Sequence, residues 1–375
     1  MNITIYYGPK KGFLKILPEE YKTLSEFIIQ YDSKKRQHSF KDPNNEDIDD
    51  DEIKKTNIPC LVADSESYSG ITESAVQSFV NLLVEYEIDD FYLQNPPIQI
   101  SNQLKQSFPD NIQYEKFKYN KIGGDEFLKF HDEFEGRIIG QKKVKKNILS
   151  SLYHFIKKNH DKKPIILMFY GASGIGKTET AKFISEVLNG ELFRKQFSMF
   201  QNEKFGQYLF GGKHAQSSFA KDLLDRESNV ILMDEFDKAP SIFHEAFYQL
   251  FDDGIFEDKN YKVELYNTII ICTSNYQNEN EIRKNIGDPL FFRFSKFIKF
   301  ENLNIISIKK IIKNNLNNSY EKLSVEEKKK VDYDEILKVM LGNAYKLSNA
   351  RQISNIINEC IDEMLVESFI LENRD

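Results

Sequence analysis

A glycine-rich segment with a lysine and a hydroxyl, GASGIGKT at 171–178, carries the clearest chemistry in this 375-residue sequence. It follows the apolar run PIILMFY and precedes the helical pattern KTETAKFISEVL. A phosphate-binding loop lies between a strand and a helix in this way, which disfavours a chance glycine-rich turn. Its glycines let backbone N–H groups turn toward a phosphate at the positive end of the helix dipole. The segment therefore predicts a nucleotide site.

Each position of this loop has an expected role. Lys177 would neutralise charge on the β- and γ-phosphates, and the Thr178 hydroxyl would coordinate Mg²⁺. The other loop and helix positions expected to contact the nucleotide are Gly171, Gly174, Ile175, Gly176 and Glu179. The predicted ligands are thus a nucleotide and Mg²⁺.

Two further apolar runs end in polar side chains. NVILMDEFDKA (229–239) ends at Asp234 and Glu235, which point to opposite sides because side chains alternate along a strand. Asp234 fits an outer-sphere Mg²⁺ role, and Glu235 fits the base that polarises an attacking water. NTIIICTSN (267–275) ends at Asn275, whose amide would help to hold that water; an Asn that only caps a strand is the alternative.

The elements that must position these residues alternate along the chain from residue 138. The pattern predicts a helix at 141–158, a strand at 164–170, a helix at 177–189 and strands at 230–235 and 268–274. This is the rhythm of a parallel sheet covered on both faces. From about residue 303 only helical periodicity remains. The predicted fold class is α/β: a P-loop parallel sheet with helices on both faces, a C-terminal helical lid and a small N-terminal α/β domain.

The domain boundaries follow from these patterns. We expect an N-terminal α/β domain of unknown role at 1–120, a linker at 121–137, a nucleotide-binding core at 138–302 and a helical lid at 303–375. The first region carries no chemical motif, and its acidic stretch at 41–52 is predicted to be a surface loop.

Composition limits the partners. The sequence has 51 Lys+Arg against 58 Asp+Glu, a net charge of −7, which argues against a nucleic-acid groove. It has no apolar signal core and no run of the length that spans a bilayer, so we expect a cytoplasmic protein without a membrane partner. Only eight of the basic residues are Arg, so the place of each Arg is informative.

Taken in order, the phosphate loop, the DE strand and the TSN strand resemble an AAA+ ATPase of the Clp and heat-shock disaggregase branch, specifically its C-terminal ATPase module. RIIGQKKVKKNI (137–148) is similar to the family's opening motif, in which Ile138 and Ile139 would flank the adenine. Residues 236–275 resemble the family almost position for position, and the likeness extends over about 137–370. It implies ATP with Mg²⁺, hydrolysed in a homo-oligomeric, hexameric ring.

The resemblance also implies roles for two arginines. Arg293, in DPLFFRFSKFIKF (288–300), would be the arginine finger that reaches the γ-phosphate of the neighbouring subunit. Arg351, in LSNARQISNII, matches the family's GAR signature and would contact the bound nucleotide, although Asn349 replaces the Gly of that signature. A planar, permanently charged guanidinium suits the role of Arg293 better than Lys does.

Two features depart from the family. At the place of its pore loop this chain has FGQYLFGGKHAQSSF (205–219), where Phe210 or Tyr208 would grip polypeptide; a plain glycine-containing turn is an equal alternative. Between Asn275 and Arg293 we find no peptidase-docking tripeptide, so coupling to a barrel peptidase is disfavoured.

Several functions are compatible with these observations. The leading one is a ring-forming ATPase that remodels or unfolds a protein partner, recruited through residues 1–120. An ATP-dependent oligomeric switch or scaffold, in signalling or defence and without threading, is favoured by the imperfect pore loop. A motor acting on nucleic acid is opposed by the net acidity. A simple nucleotide kinase is opposed by the TSN strand, the trans Arg and the lid.

Overall fold

The computed structural model describes residues 1–39, 56–157, 162–199 and 204–373, so the acidic stretch at 41–52 lies outside it. Within these ranges the strands are β1 (Asn2–Tyr7), β2 (Lys22–Thr23), β3 (Thr56–Ala63), β4 (Tyr86–Gln94), β5 (Ile112–Lys116), β6 (Ile165–Tyr170), β7 (Phe193–Gln196), β8 (Val230–Asp234), β9 (Ile255–Glu257), β10 (Lys262–Glu264), β11 (Ile269–Ser274) and β12 (Lys296–Lys299).

The α-helices within the same ranges are α1 (Lys10–Phe13), α2 (Leu24–Ser39), α3 (Glu73–Gln77), α4 (Phe79–Val84), α5 (Ile98–Ser107), α6 (Gly124–Arg137), α7 (Lys142–Leu152), α8 (Lys177–Val187), α9 (Lys204–Phe210), α10 (Phe219–Leu224), α11 (Tyr248–Asp253), α12 (Glu279–Ile286), α13 (Asp288–Phe291), α14 (Ile305–Glu321), α15 (Val325–Lys330), α16 (Tyr333–Gly342) and α17 (Ala350–Glu372). Across the part of the chain described, no helix is both long enough and apolar enough to cross a bilayer.

The chain divides into two compact units. The first unit consists of Met1–Tyr119, Phe200–Glu227 and Glu245–Tyr266, and the second unit consists of Asn120–Met199, Ser228–His244 and Asn267–Asp375. Two segments that the sequence analysis placed in the nucleotide-binding core thus fall in the first unit. The domain boundaries given above stay predictions.

The second unit is built on a parallel sheet with strand order β12-β6-β11-β8-β7. Every residue of β6, β8 and β11 is buried, as expected of apolar runs covered on both faces. The predicted α/β fold, a parallel sheet with helices on both sides followed by C-terminal helices, is confirmed. Because parallel strands end at the same edge, β6, β8 and β11 deliver the phosphate loop, the two carboxylates and Asn275 to one place.

Two further parts of the second unit complete its core. The stretch predicted as a linker contains α6, because Phe130 and Phe134 stand four residues apart on one helix face and are buried; the Phe130 ring lies 5.4 Å from that of Phe183. The last four helices form their own apolar cluster. Each begins at a side chain that accepts a hydrogen bond from the backbone three residues on: Asn304, Ser324, Asp332 and Asn349.

The first unit contains the second parallel sheet, with strand order β2-β3-β4-β1-β5. Ser78, with φ −119° and ψ 31°, separates the short helices α3 and α4 of this unit. The segments 200–227 and 245–266 join this unit through buried polar contacts. Asp225 Oδ1 accepts hydrogen bonds from Asn95 Nδ2 (2.8 Å) and Ser65 Oγ (3.2 Å), and the Ile98 amide donates to the carbonyl oxygen of Asn260 (2.8 Å).

Candidate active site

The loop between β6 and α8 has the backbone that a phosphate site needs. Gly171, Gly174 and Gly176 have φ angles of +132°, +73° and +107°, where side chains are disfavoured. A Cβ atom at Gly171 would also lie 2.5 Å from the carbonyl oxygen of Phe300. Because Gly176 immediately precedes α8, the loop leads into the positive end of an 11-residue helix. This backbone fits an anionic phosphate.

Lys177 is 8 % exposed and folds back along this loop. Its Nζ donates to the carbonyl oxygens of Gly171 (2.6 Å) and Ala172 (2.7 Å) and to Oδ1 of Asn275 (3.1 Å). Burial lowers the pKa of Lys177 to about 8, although nearby carboxylates act in the opposite direction. Neutral oxygens hold the ammonium, so a phosphate would supply the negative charge that this buried cation needs.

Asp234, the last residue of β8, is buried and held by side chains from two neighbouring strands. Its Oδ1 accepts a hydrogen bond from Thr273 Oγ1 (2.6 Å), and its Oδ2 accepts from Arg194 Nη2 (2.6 Å) and Nε (3.0 Å). Thr178 Oγ1 lies 3.4 Å from Oδ2. A carboxylate beside a hydroxyl of the phosphate loop is an oxygen donor set of the kind that Mg²⁺ prefers. The two residues predicted to hold the metal therefore fit that ion.

Glu235 turns the chain out of β8. It has φ +55° and ψ 43°, a left-handed conformation that costs a non-glycine residue about 1 kcal/mol or more. Its backbone N–H donates to Thr273 Oγ1 (2.8 Å), and its Oε2 accepts from Gln196 Nε2 (3.1 Å). The adjacent carboxylates of Asp234 and Glu235 therefore have separate side-chain partners on β7.

Three residues of the site, Arg194, Gln196 and Thr273, have no role predicted from the sequence. Arg194 and Gln196 share one face of β7, whose register places Gln196 beside Asp234. The strand FRKQ is too short and polar to predict from periodicity. The one sequence signal that could have indicated a role for Arg194 is the small number of Arg residues. Each Arg in so Arg-poor a chain is a candidate for a specific role.

Replacing Thr273 with Val should destabilise the second unit by about 1–3 kcal/mol and also slow ATP turnover. The Val side chain has nearly the same shape, but it leaves Asp234 Oδ1 and the Glu235 N–H without their shared partner. Ser274→Ala is the matched control, because the Ser274 Oγ is buried and makes no hydrogen bond in the described part of the chain. Denaturant unfolding compares the two variants. A Thr273→Val protein as stable and as active as Ser274→Ala would contradict this role.

Of the two residues expected at the adenine, Ile138 lies beside the phosphate loop. Ile138 is buried, and its Cγ2 would be 3.7 Å from a Cβ atom at Gly176. Ile139 packs, half-buried, against the cluster of the last four helices. Ile175 is buried with Ile138 in the core of the second unit. Glu179 is exposed, and its Oε1 lies 3.8 Å from Arg137 Nε.

The start of α17 contacts the phosphate loop directly. The Ala350 amide donates to the carbonyl oxygen of Gly174 (2.9 Å), and a Cβ atom at Gly174 would lie 2.9 Å from Asn349 Oδ1. Asn349 caps α17 by accepting from the Gln352 amide (2.9 Å). Asn is among the best N-cap residues, so Asn349 can occupy the position of the Gly in the GAR signature and still begin the helix. Arg351 is exposed in the first turn of this helix, close in sequence to the contact with the loop.

Arg293 follows α13 and is half-buried. Its Nη1 donates to the carbonyl oxygen of Pro289 (2.6 Å), four residues earlier in the chain. This local hydrogen bond holds the guanidinium end of the side chain against the backbone of α13. The contacts given above bring together Lys177, Thr178, Asp234 and Asn275, but Arg293 enters none of them.

The pore-loop candidates lie in the first unit, on helix α9 rather than in an open loop. Tyr208 Oη donates to Asp222 Oδ2 (2.6 Å), and its ring meets that of Phe219 edge-on at 6.0 Å. Phe210 ends the helix and is 51 % exposed, and Gly211 then adopts φ +81°. Tyr208 is thus held by its neighbours, whereas much of the Phe210 ring faces solvent.

Comparison with known proteins agrees with this geometry. A profile of the family described as AAA domain (Cdc48 subfamily) matches residues 162–323. Chaperone protein ClpB of Malacoplasma penetrans is 27 % identical over 286 residues, 69 % of this chain and 40 % of that protein. The ATP-dependent Clp protease ATP-binding subunit ClpC of Staphylococcus saprophyticus is 32 % identical over 171 residues, 42 % of this chain and 21 % of that protein.

These relatives are longer proteins, and the chain spans two fifths or less of the length of each. The family profile covers the segment that holds the phosphate loop, the two carboxylates and Asn275. The resemblance inferred from the motifs is therefore confirmed for this part of the chain. Over residues 162–323 the chain therefore carries an AAA+ ATPase module similar to those of the Clp relatives.

Proposed function

We propose that this chain hydrolyses ATP with Mg²⁺ at the subunit interfaces of a hexameric ring and thereby remodels or unfolds a protein partner. The observation that carries the proposal is the convergence of Lys177, Thr178, Asp234 and Asn275 at one sheet edge, with Glu235 adjacent. The similarity to a protein named as a chaperone supports a protein as the object of the work.

The residues divide the chemistry among them. Lys177 and the loop N–H groups bind the β- and γ-phosphates. Thr178 and Asp234 hold Mg²⁺, which supplies positive charge against the phosphate oxygens. Glu235 accepts a proton from the attacking water, and Asn275 helps to orient that water.

The remaining residues bind the base and respond to the nucleotide. Ile138 and Ile139 flank the adenine beside the phosphate loop. Arg351 contacts the nucleotide from the first turn of α17, which touches the loop at Gly174. A change at the γ-phosphate is thereby passed to the helical lid.

Arg293 completes the site from the next subunit in this proposal. It follows α13, where its Nη1 donates to the carbonyl oxygen of Pro289. Charge that develops on the γ-phosphate needs a further cation, and an arginine supplied in trans fits that need. Hydrolysis then depends on assembly. A peptidase or a nucleic acid is not part of the proposal.

A second candidate, an ATP-dependent oligomeric switch without threading, is favoured by the hydrogen bond that holds Tyr208 on Asp222. Replacing the exposed Phe210 with Ala distinguishes the two. If the ring grips polypeptide, casein, an unfolded protein, should stimulate ATP turnover of the unmodified chain, and Phe210→Ala should lose that stimulation while keeping basal turnover. Tyr114→Ala is the control, because Tyr114 is similarly exposed (52 %) in the first unit. Absence of any response to casein would favour the switch.

A further inference from the structure

A cavity of about 350 Å³ lies within the first unit and takes no part in the ATP chemistry. Tyr7 and Lys116, the last residues of the parallel strands β1 and β5, stand at its edge. Ligands of α/β proteins commonly bind at the carboxyl ends of parallel strands. A cavity of this size takes a small organic group.

One wall of this cavity carries a buried, unpaired cation. Arg226 is 5 % exposed, and its guanidinium stacks over the Tyr119 ring at 4.3 Å. Nη1 donates to the carbonyl oxygen of Leu223 (2.6 Å), whereas Nε makes no hydrogen bond to any residue that the structure describes. Among the described residues no carboxylate lies within 4.0 Å of this guanidinium. Burial also lowers the pKa of Arg226. Buried arginines are almost always paired with an anionic group. Binding of an anion would supply that group to Arg226.

The charged residues around Arg226 already have partners. Lys116 Nζ lies 2.7 Å from Glu264, and Lys262 Nζ lies 3.4 Å from Glu257. The side chains of these two lysines are at least half exposed to solvent. The entrance of the cavity is therefore solvated, whereas Arg226 is buried.

The carboxylate next in sequence does not neutralise Arg226 either. Asp225 Oδ1 is taken by hydrogen bonds from Ser65, Gln94 and Asn95. The guanidinium therefore retains a positive charge that no described carboxylate neutralises, at a residue that lines the cavity.

We propose that this cavity binds an aromatic or apolar group that carries a carboxylate, with Arg226 holding the carboxylate. The planar guanidinium matches a carboxylate with two parallel hydrogen bonds. Tyr7, Phe117 and Tyr119 line the cavity and supply aromatic walls for the rest of the ligand. A doubly charged phosphate fits less well, because the other cations at the cavity are engaged with glutamates. The carboxylate comes either from a free small acid or from the C-terminus of a peptide.

Calorimetric titration of the full chain tests this site with two pairs of probes. The first pair is 3-phenylpropionate and its amide, and the second is a pentapeptide ending in Phe with a free or an amidated C-terminus. We expect at least one acid to bind, and its amide to bind about tenfold more weakly or worse. Preference for the peptide acid identifies a protein terminus as the source, and preference for the small acid identifies a metabolite. Failure of both acids to bind at millimolar concentration, or equal binding of acid and amide, would overturn the proposal.

A variant adds a second measure. Arg226→Gln should weaken binding of the acid by about tenfold or more, whereas Lys262→Gln at the mouth should change it by about twofold at most. Equal binding by a folded Arg226→Gln protein would also overturn the proposal. The comparison of acid with amide needs no substitution, so it decides the matter even if Arg226→Gln fails to fold.

Discussion

Replacing Glu235 with Gln should lower ATP turnover by about a hundredfold or more, while ATP affinity stays within about threefold of the unmodified chain. The Gln amide keeps the size of the side chain and its place in the turn after β8, but it cannot accept a proton. The groups that bind phosphate, Lys177 and the loop N–H groups, are unchanged. Phosphate release measures turnover, and titration with a fluorescent ATP analogue measures binding.

Glu281→Gln is the control for this prediction. Glu281 is exposed near the start of α12, where its carboxylate accepts hydrogen bonds from Gln277 and Asn278. Glu281→Gln makes the same chemical change at a residue of the second unit whose hydrogen-bond partners have no proposed catalytic role, so turnover should be unaffected. Full turnover by the Glu235→Gln protein would remove Glu235 from the mechanism.

Replacing Arg293 with Ala should lower turnover by about a thousandfold, the effect typical of an arginine finger, and leave nucleotide binding by a single subunit largely intact. The Arg293→Lys variant should recover little of the lost turnover, because an ammonium does not reproduce the planar fork of a guanidinium. Steady-state turnover and analogue titration again separate the two effects. Analytical ultracentrifugation shows whether assembly survives the substitution.

Arg283→Ala is the matched control for Arg293→Ala. Arg283 lies on α12, ten positions earlier, and donates to both carboxylate oxygens of Asp288 (2.6 and 2.8 Å) at the surface. Removing it changes charge in the same segment without removing the proposed finger. An equal loss of turnover in Arg283→Ala would assign the effect to the segment as a whole.

Much of the second unit could be predicted because its signals are local. Central parallel strands read as continuous apolar runs, and β6, β8 and β11 were all expected within a residue of their bounds. The phosphate loop is a contiguous motif whose glycines have the positive φ angles that the motif requires. The carboxyl ends of these strands meet by the geometry of a parallel sheet, so the meeting of Lys177 with Asn275 followed from the predicted order.

The remainder depends on contacts between distant parts of the sequence. Arg194 reaches Asp234 from a short polar strand that periodicity does not reveal. Asp225 hydrogen-bonds to Ser65 and Asn95, which are 160 and 130 positions away in the sequence. No local sequence pattern therefore indicates that the segments 200–227 and 245–266 belong to the first unit. The segment that forms the helix Gly124–Arg137 reads as a linker in the sequence, because charged residues surround Phe130 and Phe134 and obscure their helical spacing.

A mixture of the two inactive variants, Glu235→Gln and Arg293→Ala, tests most directly whether the site is shared between subunits. In a ring each site faces the next subunit, so random co-assembly should pair an intact Glu235 with an intact Arg293 at about a quarter of the interfaces. We predict that the mixture regains turnover up to about that fraction of the unmodified chain, although each variant alone is inactive. Co-assembled rings whose turnover stays at the sum of the separate variants would contradict hydrolysis at subunit interfaces.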